Sequence, residues 1–498
     1  MKQQITHYIR AGYSGLYLVS HEEQRVEAEL AAIAKEIKHK LYAWSITDGL
    51  VETTKGTVID CHDAVDTLEA IAGLPDNSIV LLRDYHLFFD DPNPLMLRAL
   101  KQELQAARTK SKTIIVLGCR LKLPPELERE FAVIEFALPG ESVLAVTLDG
   151  IAKSAGLATP KEAGRERLLN AAKGMTTMEA ENAYALSVVQ TGGLDPTVVA
   201  KAKAQAIQKN GLLEIIETDQ SLENIGGLDC LKQWLVARRD GFSKRAIDYG
   251  LPAPKGLLIL GIPGTGKSLT AKATAKVFGM PLLKLDAGRI FAGLVGQSEA
   301  NLRSVIQTAE AIAPAVLWID EIEKGFAGSK SSGSTDGGTS SRVFGSFISW
   351  MQEKKAPVFI VATANDVSQL PPEMLRKGRF DELFFVDLPN QAEREAIWTI
   401  QISKYDRNPK EFDLVQLARM TEGLTGSEIE TVFVEALFDG FGQGKEPGDL
   451  TIAGVLTGFV PLSKLMAEPI EALRKWAKGR AKNATTQQQD SKLRRIAA

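Results

Sequence analysis

Short apolar runs, each closed by glycine or by polar residues, recur along this chain. Gly256-Leu257-Leu258-Ile259-Leu260 and Ala315-Val316-Leu317-Trp318-Ile319 are almost uninterrupted, the pattern of a parallel strand covered on both faces. Pro357–Ala364 is a third such run, closed by Asn365. A helix-forming stretch, Leu269–Phe278, follows the first run. Another, Ile429–Phe438, is opened by a Thr425…Glu428 capping box. Strand-like and helix-like segments in this order predict an α/β domain built on a parallel sheet.

The chemistry sits where these runs end. Gly261-Ile262-Pro263-Gly264-Thr265-Gly266-Lys267-Ser268 joins the first run to its helix. It has the GxxxxGK[ST] form of a phosphate-binding loop in the strand–loop–helix context that such a loop needs. Its glycines let backbone N–H groups turn inward around a phosphate, and the helix N-terminus adds its positive end. Lys267 is expected to reach the β/γ-phosphates, and the Ser268 hydroxyl to hold Mg²⁺. Asp320 and Glu321 close the second run. There Asp320 would serve the metal ion and Glu321 would polarise the attacking water. Asn365 is placed to hydrogen-bond that water or the γ-phosphate. Arg376 and Arg379 follow a short helix beginning at Leu370-Pro371-Pro372. Guanidinium groups there suit a finger that reaches the phosphate held by a neighbouring subunit.

Composition narrows the alternatives. A hydrophobic content of 44% and a charged content of 24% suit an ordinary globular protein, and the net charge of −3 exerts no general pull toward nucleic acid or acidic membranes. No apolar run approaches the roughly 18 residues of a membrane helix, and the first residues lack the apolar stretch of a secretory signal. A cytoplasmic location is expected. Cys61, Cys119 and Cys230 have unrelated spacings and form no disulfide framework. All five histidines precede residue 90, and HExxH is absent, which excludes a fused zinc protease.

Together the motifs resemble the AAA family of ATPases over about Leu222 to Ala436. Ile225-Gly226-Gly227-Leu228 is similar to the N-terminal linker that lies near the adenine. Gly261–Ser268 is similar to Walker A, Asp320-Glu321 to Walker B and Asn365 to sensor 1. Arg376 and Arg379 stand where the family places arginine fingers, and Gly423–Glu428 resembles the lid turn. The resemblance implies ATP and Mg²⁺ as ligands, a P-loop parallel-sheet domain with a helical lid, and a homohexameric ring acting on a protein client. Gly226, Gly261, Pro263, Gly264, Thr265, Gly266, Lys267, Ser268 and Gly426 would hold the nucleotide. Two departures stand out. Leu294 occupies the place of an aromatic pore-loop residue and offers a substrate chain less area than Tyr or Phe. The glycine- and serine-rich Gly325–Ser341 directly follows Walker B and reads as a flexible loop.

The N-terminal half repeats this pattern without its chemistry. Gly15–Val19 resembles the strand before the phosphate loop, but Ser20-His21-Glu22-Glu23-Gln24 follows it. Ser78–Tyr85 resembles Walker B with Tyr85 in place of the glutamate, and Thr113–Gly118 matches the sensor strand. Thr176…Glu179 repeats the lid capping box. The expected organisation is a degenerate AAA-like α/β domain over 1–205 without hydrolysis and a linker over 206–222. An ATPase subdomain over 223–390, a helical lid over 391–477 and a basic disordered tail over 478–498 follow. An inactive module before an active one resembles the conserved reading-frame AAA family of cyanobacteria and algal plastids. That resemblance points toward regulation of photosynthesis or inorganic-carbon use, and toward the plastid stroma if the chain is plastid-encoded. Three functions fit the sequence: a remodeller of a protein partner, a nucleotide-gated scaffold, and a replication or clamp-loading ATPase. No basic stripe with interleaved aromatics supports the third.

Overall fold

The computed structural model describes residues 2–209, 211–291, 297–326, 337–376 and 378–486. The chain divides into two units, with the boundary between Lys203 and Ala204.

In the first unit the strands are β1 (Gly15–Val19), β2 (Lys40–Ser45), β3 (Gly49–Glu52), β4 (Val58–Ile59), β5 (Ser78–Arg83), β6 (Thr113–Gly118) and β7 (Ala132–Glu135), in the order β4-β3-β2-β5-β6-β1-β7. In the second they are β8 (Leu213–Ile216), β9 (Gly256–Gly261), β10 (Leu282–Leu285), β11 (Ala315–Ile319), β12 (Val358–Ala364), β13 (Glu382–Val386) and β14 (Lys482–Asn483), in the order β14-β13-β9-β12-β11-β10-β8. The parallel core β7-β1-β6-β5-β2 therefore repeats the order of β13-β9-β12-β11-β10. The register agrees as well: Gly15 pairs with Ile114 as Gly256 pairs with Ile360. The repeat expected from the sequence is a repeat of fold.

Continuous apolar strands follow from burial on both faces. Leu258, Leu260, Leu317, Ile319, Ile360 and Ala362 belong to the core on one side of the second sheet. The alternate residues Leu257, Ile259, Val316, Trp318, Phe359 and Val361 belong to the core on the other, as period-2 alternation requires. Each unit also carries a helical cluster with its own core. Leu144, Leu148, Ala180 and Tyr184 centre the first, and Trp398, Ile402, Ile429 and Phe433 the second.

Three expected boundaries change. The segment expected as a linker contributes β8, which pairs antiparallel with β10. The helix Ala467–Ala477, expected in the lid, sends Leu473 and Ala477 into the core beside the sheet. The tail expected to be disordered from residue 478 is folded as far as Thr486. Its β14 pairs in parallel with β13, Ala484 is buried, and Thr485 Oγ1 donates to Glu393 Oε1 at 2.6 Å. A polar composition concealed this edge strand because sheet pairing is made by backbone groups. Residues 487–498, Leu294 and most of the glycine- and serine-rich segment lie outside the described residues.

Candidate active site

Loop length separates the two units first. Five residues, Ile262–Gly266, join β9 to the helix Lys267–Phe278, whereas Ser20, His21 and Glu22 alone join β1 to the helix Glu23–Ile37. The longer loop has room to curl. Gly264 and Gly266 take φ of +78° and +91°, and a Cβ on Gly264 would stand 2.8 Å from Thr425 Oγ1. Only glycine meets both demands. The Thr265 hydroxyl donates to the Ile262 carbonyl at 2.7 Å, which tightens the turn. Lys267 begins the helix with its side chain folded inward, where Nζ donates to the carbonyls of Gly261 and Ile262 at 2.8 and 2.7 Å. Burial pulls its amine down to about 8, against the opposing pull of Glu323, Asp320 and Glu321.

The acidic side of the site is cross-braced. Ser268 Oγ donates to Asp320 Oδ1 at 3.1 Å, and Thr363 Oγ1 donates to the same oxygen at 2.6 Å. Glu321 has φ +48°, a backbone region that disfavours residues with a Cβ. Its N–H donates to Thr363 Oγ1 at 3.0 Å, and its Oε1 accepts from Asn365 Nδ2 at 2.9 Å. Its other oxygen pairs with Lys324. The Asn365 N–H donates to Glu323 Oε1 at 2.9 Å. Burial raises the carboxyl of Glu323 above its ordinary value.

A cavity of about 370 Å³ joins these groups to an apolar end. Pro263 through Ser268, Asp320, Glu321 and Asn365 line one side of it; Gly226, Leu228, Ile397 and Gly426 line the other. A Cβ on Gly226 would lie 2.5 Å from Ile397 Cγ1, so glycine lets the linker approach the first lid helix. The lid meets the loop directly, because the Ser427 N–H donates to the Gly264 carbonyl at 3.0 Å. Gly261 is not on the cavity wall and contributes through its carbonyl. Arg376 and Arg379 are also away from the wall. Arg376 is exposed, while Arg379 donates to Gln352 Oε1.

Three residues escaped the sequence reading: Thr363, Glu323 and Lys324. Thr363 had a signal. It is the one hydroxyl in an otherwise apolar β12, and it stands two residues before Asn365, which directly follows the strand. Glu323 likewise lies two residues after Glu321.

The corresponding place in the first unit is filled by its own side chains. Glu22 is buried, and its Oε1 accepts from the Thr177 N–H and hydroxyl at 2.5 and 2.7 Å. Its other oxygen pairs with Arg25, which lies over the Phe136 ring. A carboxylate thus takes the first turn of that lid helix. Tyr85, expected from the sequence in place of the glutamate, falls one residue later: the strand register sets Asp84 at the position of Glu321, with φ +54° against +48°. Tyr85 is buried and donates to the Ala64 carbonyl at 2.9 Å.

Residues 257–388 match the family described as ATPase family associated with various cellular activities (AAA). Residues 1–136 and 143–210 match the N-terminal and second domains of SpoVK-like AAA ATPases. The chain belongs to the AAA ATPases, a family whose members bind and hydrolyse ATP and commonly form oligomers that act on proteins. Along most of its length it is similar to the AAA domain-containing protein ycf46 of Guillardia theta, 39% identical over 94% of this chain and 93% of the relative. The ycf46 proteins of Pyropia yezoensis and Trieres chinensis are each 37% identical, over 96% and 94% of this chain and 98% and 95% of their own lengths.

The lowered amine of Lys267 has a measurable consequence. A triphosphate favours the protonated amine, so ATP affinity should fall as pH rises through about 8. Titration of a fluorescent ATP analogue between pH 7 and pH 9.5 measures this, with a flat profile as the contrary result.

Proposed function

We propose that this chain is a Mg²⁺-dependent ATPase that works as a ring and remodels or regulates a protein partner. The observation that carries this reading is the convergence of Lys267, Ser268, Asp320, Glu321 and Asn365 on one cavity. The donor set fits the metal ion, since the Ser268 hydroxyl and the Asp320 carboxylate offer adjacent hard oxygens. When bound there, Mg²⁺ would offset phosphate charge. Loop N–H groups and Lys267 bind and orient the triphosphate, and Glu321 accepts the proton of the attacking water. Asn365 holds the Glu321 carboxylate and the water in line. Arg376 or Arg379 of a neighbouring subunit completes the charge stabilisation. Gly264 and Ser427 link the loop to the lid, and this link gives hydrolysis a mechanical outlet.

The first unit, with its short loop and its internal Glu22 contact, serves assembly or partner recognition and does not hydrolyse ATP. Among the described residues no single helix is long and apolar enough to cross a membrane; the cytoplasm or a plastid stroma suits this reading. Nothing in the site's geometry selects photosynthesis or carbon use as the process served. A second reading, a nucleotide-gated scaffold, draws support from Glu321, whose two carboxylate oxygens are both engaged. The test is hydrolysis by the purified chain with Mg²⁺ and again after chelation. Turnover that needs the metal supports the proposal; no turnover at any protein concentration overturns it.

A further inference from the structure

We infer that Thr363 is a positioning residue for ATP hydrolysis, its hydroxyl tying the carboxylate of Asp320 to the backbone of Glu321. This rests on the ATPase reading above and adds a residue to it. The Thr363 side chain is almost wholly buried, and its single hydroxyl is used twice. It donates to Asp320 Oδ1 at 2.6 Å and accepts from the Glu321 N–H at 3.0 Å.

The two bonds act on different parts of the chemistry. Asp320 Oδ1 takes one hydroxyl from Thr363 and another from Ser268. Two donors on one oxygen fix the rotation of the carboxylate and leave Oδ2 as the oxygen not engaged by either. The bond from Glu321 acts on the backbone. A non-glycine residue at φ +48° persists where its surroundings hold it there. Thr363 holds the N–H of that residue while Asn365 holds its carboxylate. The end of β12 and the residue just after it thus present Thr363 to the metal-binding acid and Asn365 to the water-activating acid, two residues apart in the chain.

Packing alone does not call for a hydroxyl here. Val358, Phe359, Ile360, Val361, Ala362 and Ala364 make up the rest of β12, and valine would fill the threonine's volume with the same branched shape. Valine keeps the shape and removes both bonds, whereas serine keeps the bonds and removes a methyl group.

The experiment compares wild type, Thr363→Val and Thr363→Ser in the full chain. Binding of a fluorescent ATP analogue is titrated with Mg²⁺, and kcat and KM are measured at saturating metal. The valine variant should bind the analogue in EDTA as wild type does. It should need about tenfold more Mg²⁺ for the metal-dependent change in binding, with kcat lowered by about tenfold or more and KM little changed. Serine should restore both readouts. A valine variant whose Mg²⁺ midpoint and kcat match wild type overturns the inference and leaves the ATPase reading standing. A wild type without metal-dependent binding or turnover overturns that reading, and this inference with it. If valine prevents folding, Thr363→Ala carries the same comparison, and a serine variant that fails to rescue counts against the hydroxyl.

Discussion

Glu321→Gln should bind ATP as tightly as wild type and turn it over at least about 100-fold more slowly. The amide has the size of the carboxylate and keeps an oxygen for the Asn365 Nδ2 contact, so the site keeps its shape. It cannot take a proton from water, and it gives up the ion pair with Lys324. The two effects oppose each other, because release of Lys324 frees the side chain while loss of the base removes the chemistry. An exposed ion pair contributes less than about 1 kcal/mol, whereas general-base catalysis contributes several, so loss of turnover dominates. Single-turnover hydrolysis beside analogue binding measures both quantities. Turnover within a few-fold of wild type would remove Glu321 from its assigned role. The same variant separates the two functional readings: a scaffold set by ATP binding keeps its cellular task, and a remodeller stalls.

Arg376→Ala should lower turnover by about 1,000-fold without weakening ATP binding to the same subunit. The structure distinguishes the two arginines. Arg376 is exposed and has no side-chain partner among the described residues, while Arg379 is held by Gln352. Arg376 is therefore the better finger, and Arg379→Ala should have the smaller effect. A finger supplied in trans makes a distinctive prediction. Mixing Arg376→Ala with Glu321→Gln should restore activity that neither has alone, because some interfaces then pair an intact arginine with an intact glutamate. Specific activity should also rise with protein concentration. A concentration-independent rate that ignores Arg376 would leave a monomeric switch and end the ring proposal.

Much of this site was legible in the sequence because its residues sit at the ends of continuous apolar runs. A strand buried on both faces has no polar positions to spare, so Asp320, Glu321 and Asn365 stand out where burial stops. The candidate phosphate loop was legible for a related reason: its glycines are demanded by backbone angles that other residues avoid, as at Gly264 and Gly266. Thr363 was passed over because a threonine inside an apolar strand also reads as a β-branched packing residue. Its two hydrogen bonds depend on how closely β11 and β12 lie. The tail was misread because its pairing uses backbone groups that composition does not report.

The sequence by itself determined the class of chemistry and the duplication of the fold, because both depend on local spacing: loop, strand and acid in one half, the same strands without the loop in the other. Only the tertiary structure decided what the emptied half does with its crevice, where Glu22 reaches Thr177 across 155 positions of chain. It alone also decided that Lys482–Asn483 join the sheet and that Thr485 binds Glu393. Those outcomes rest on contacts between segments far apart in the chain, and such contacts leave no periodicity behind. They are set by which surfaces remain to be buried and which N–H groups remain to be paired once the sheets have formed.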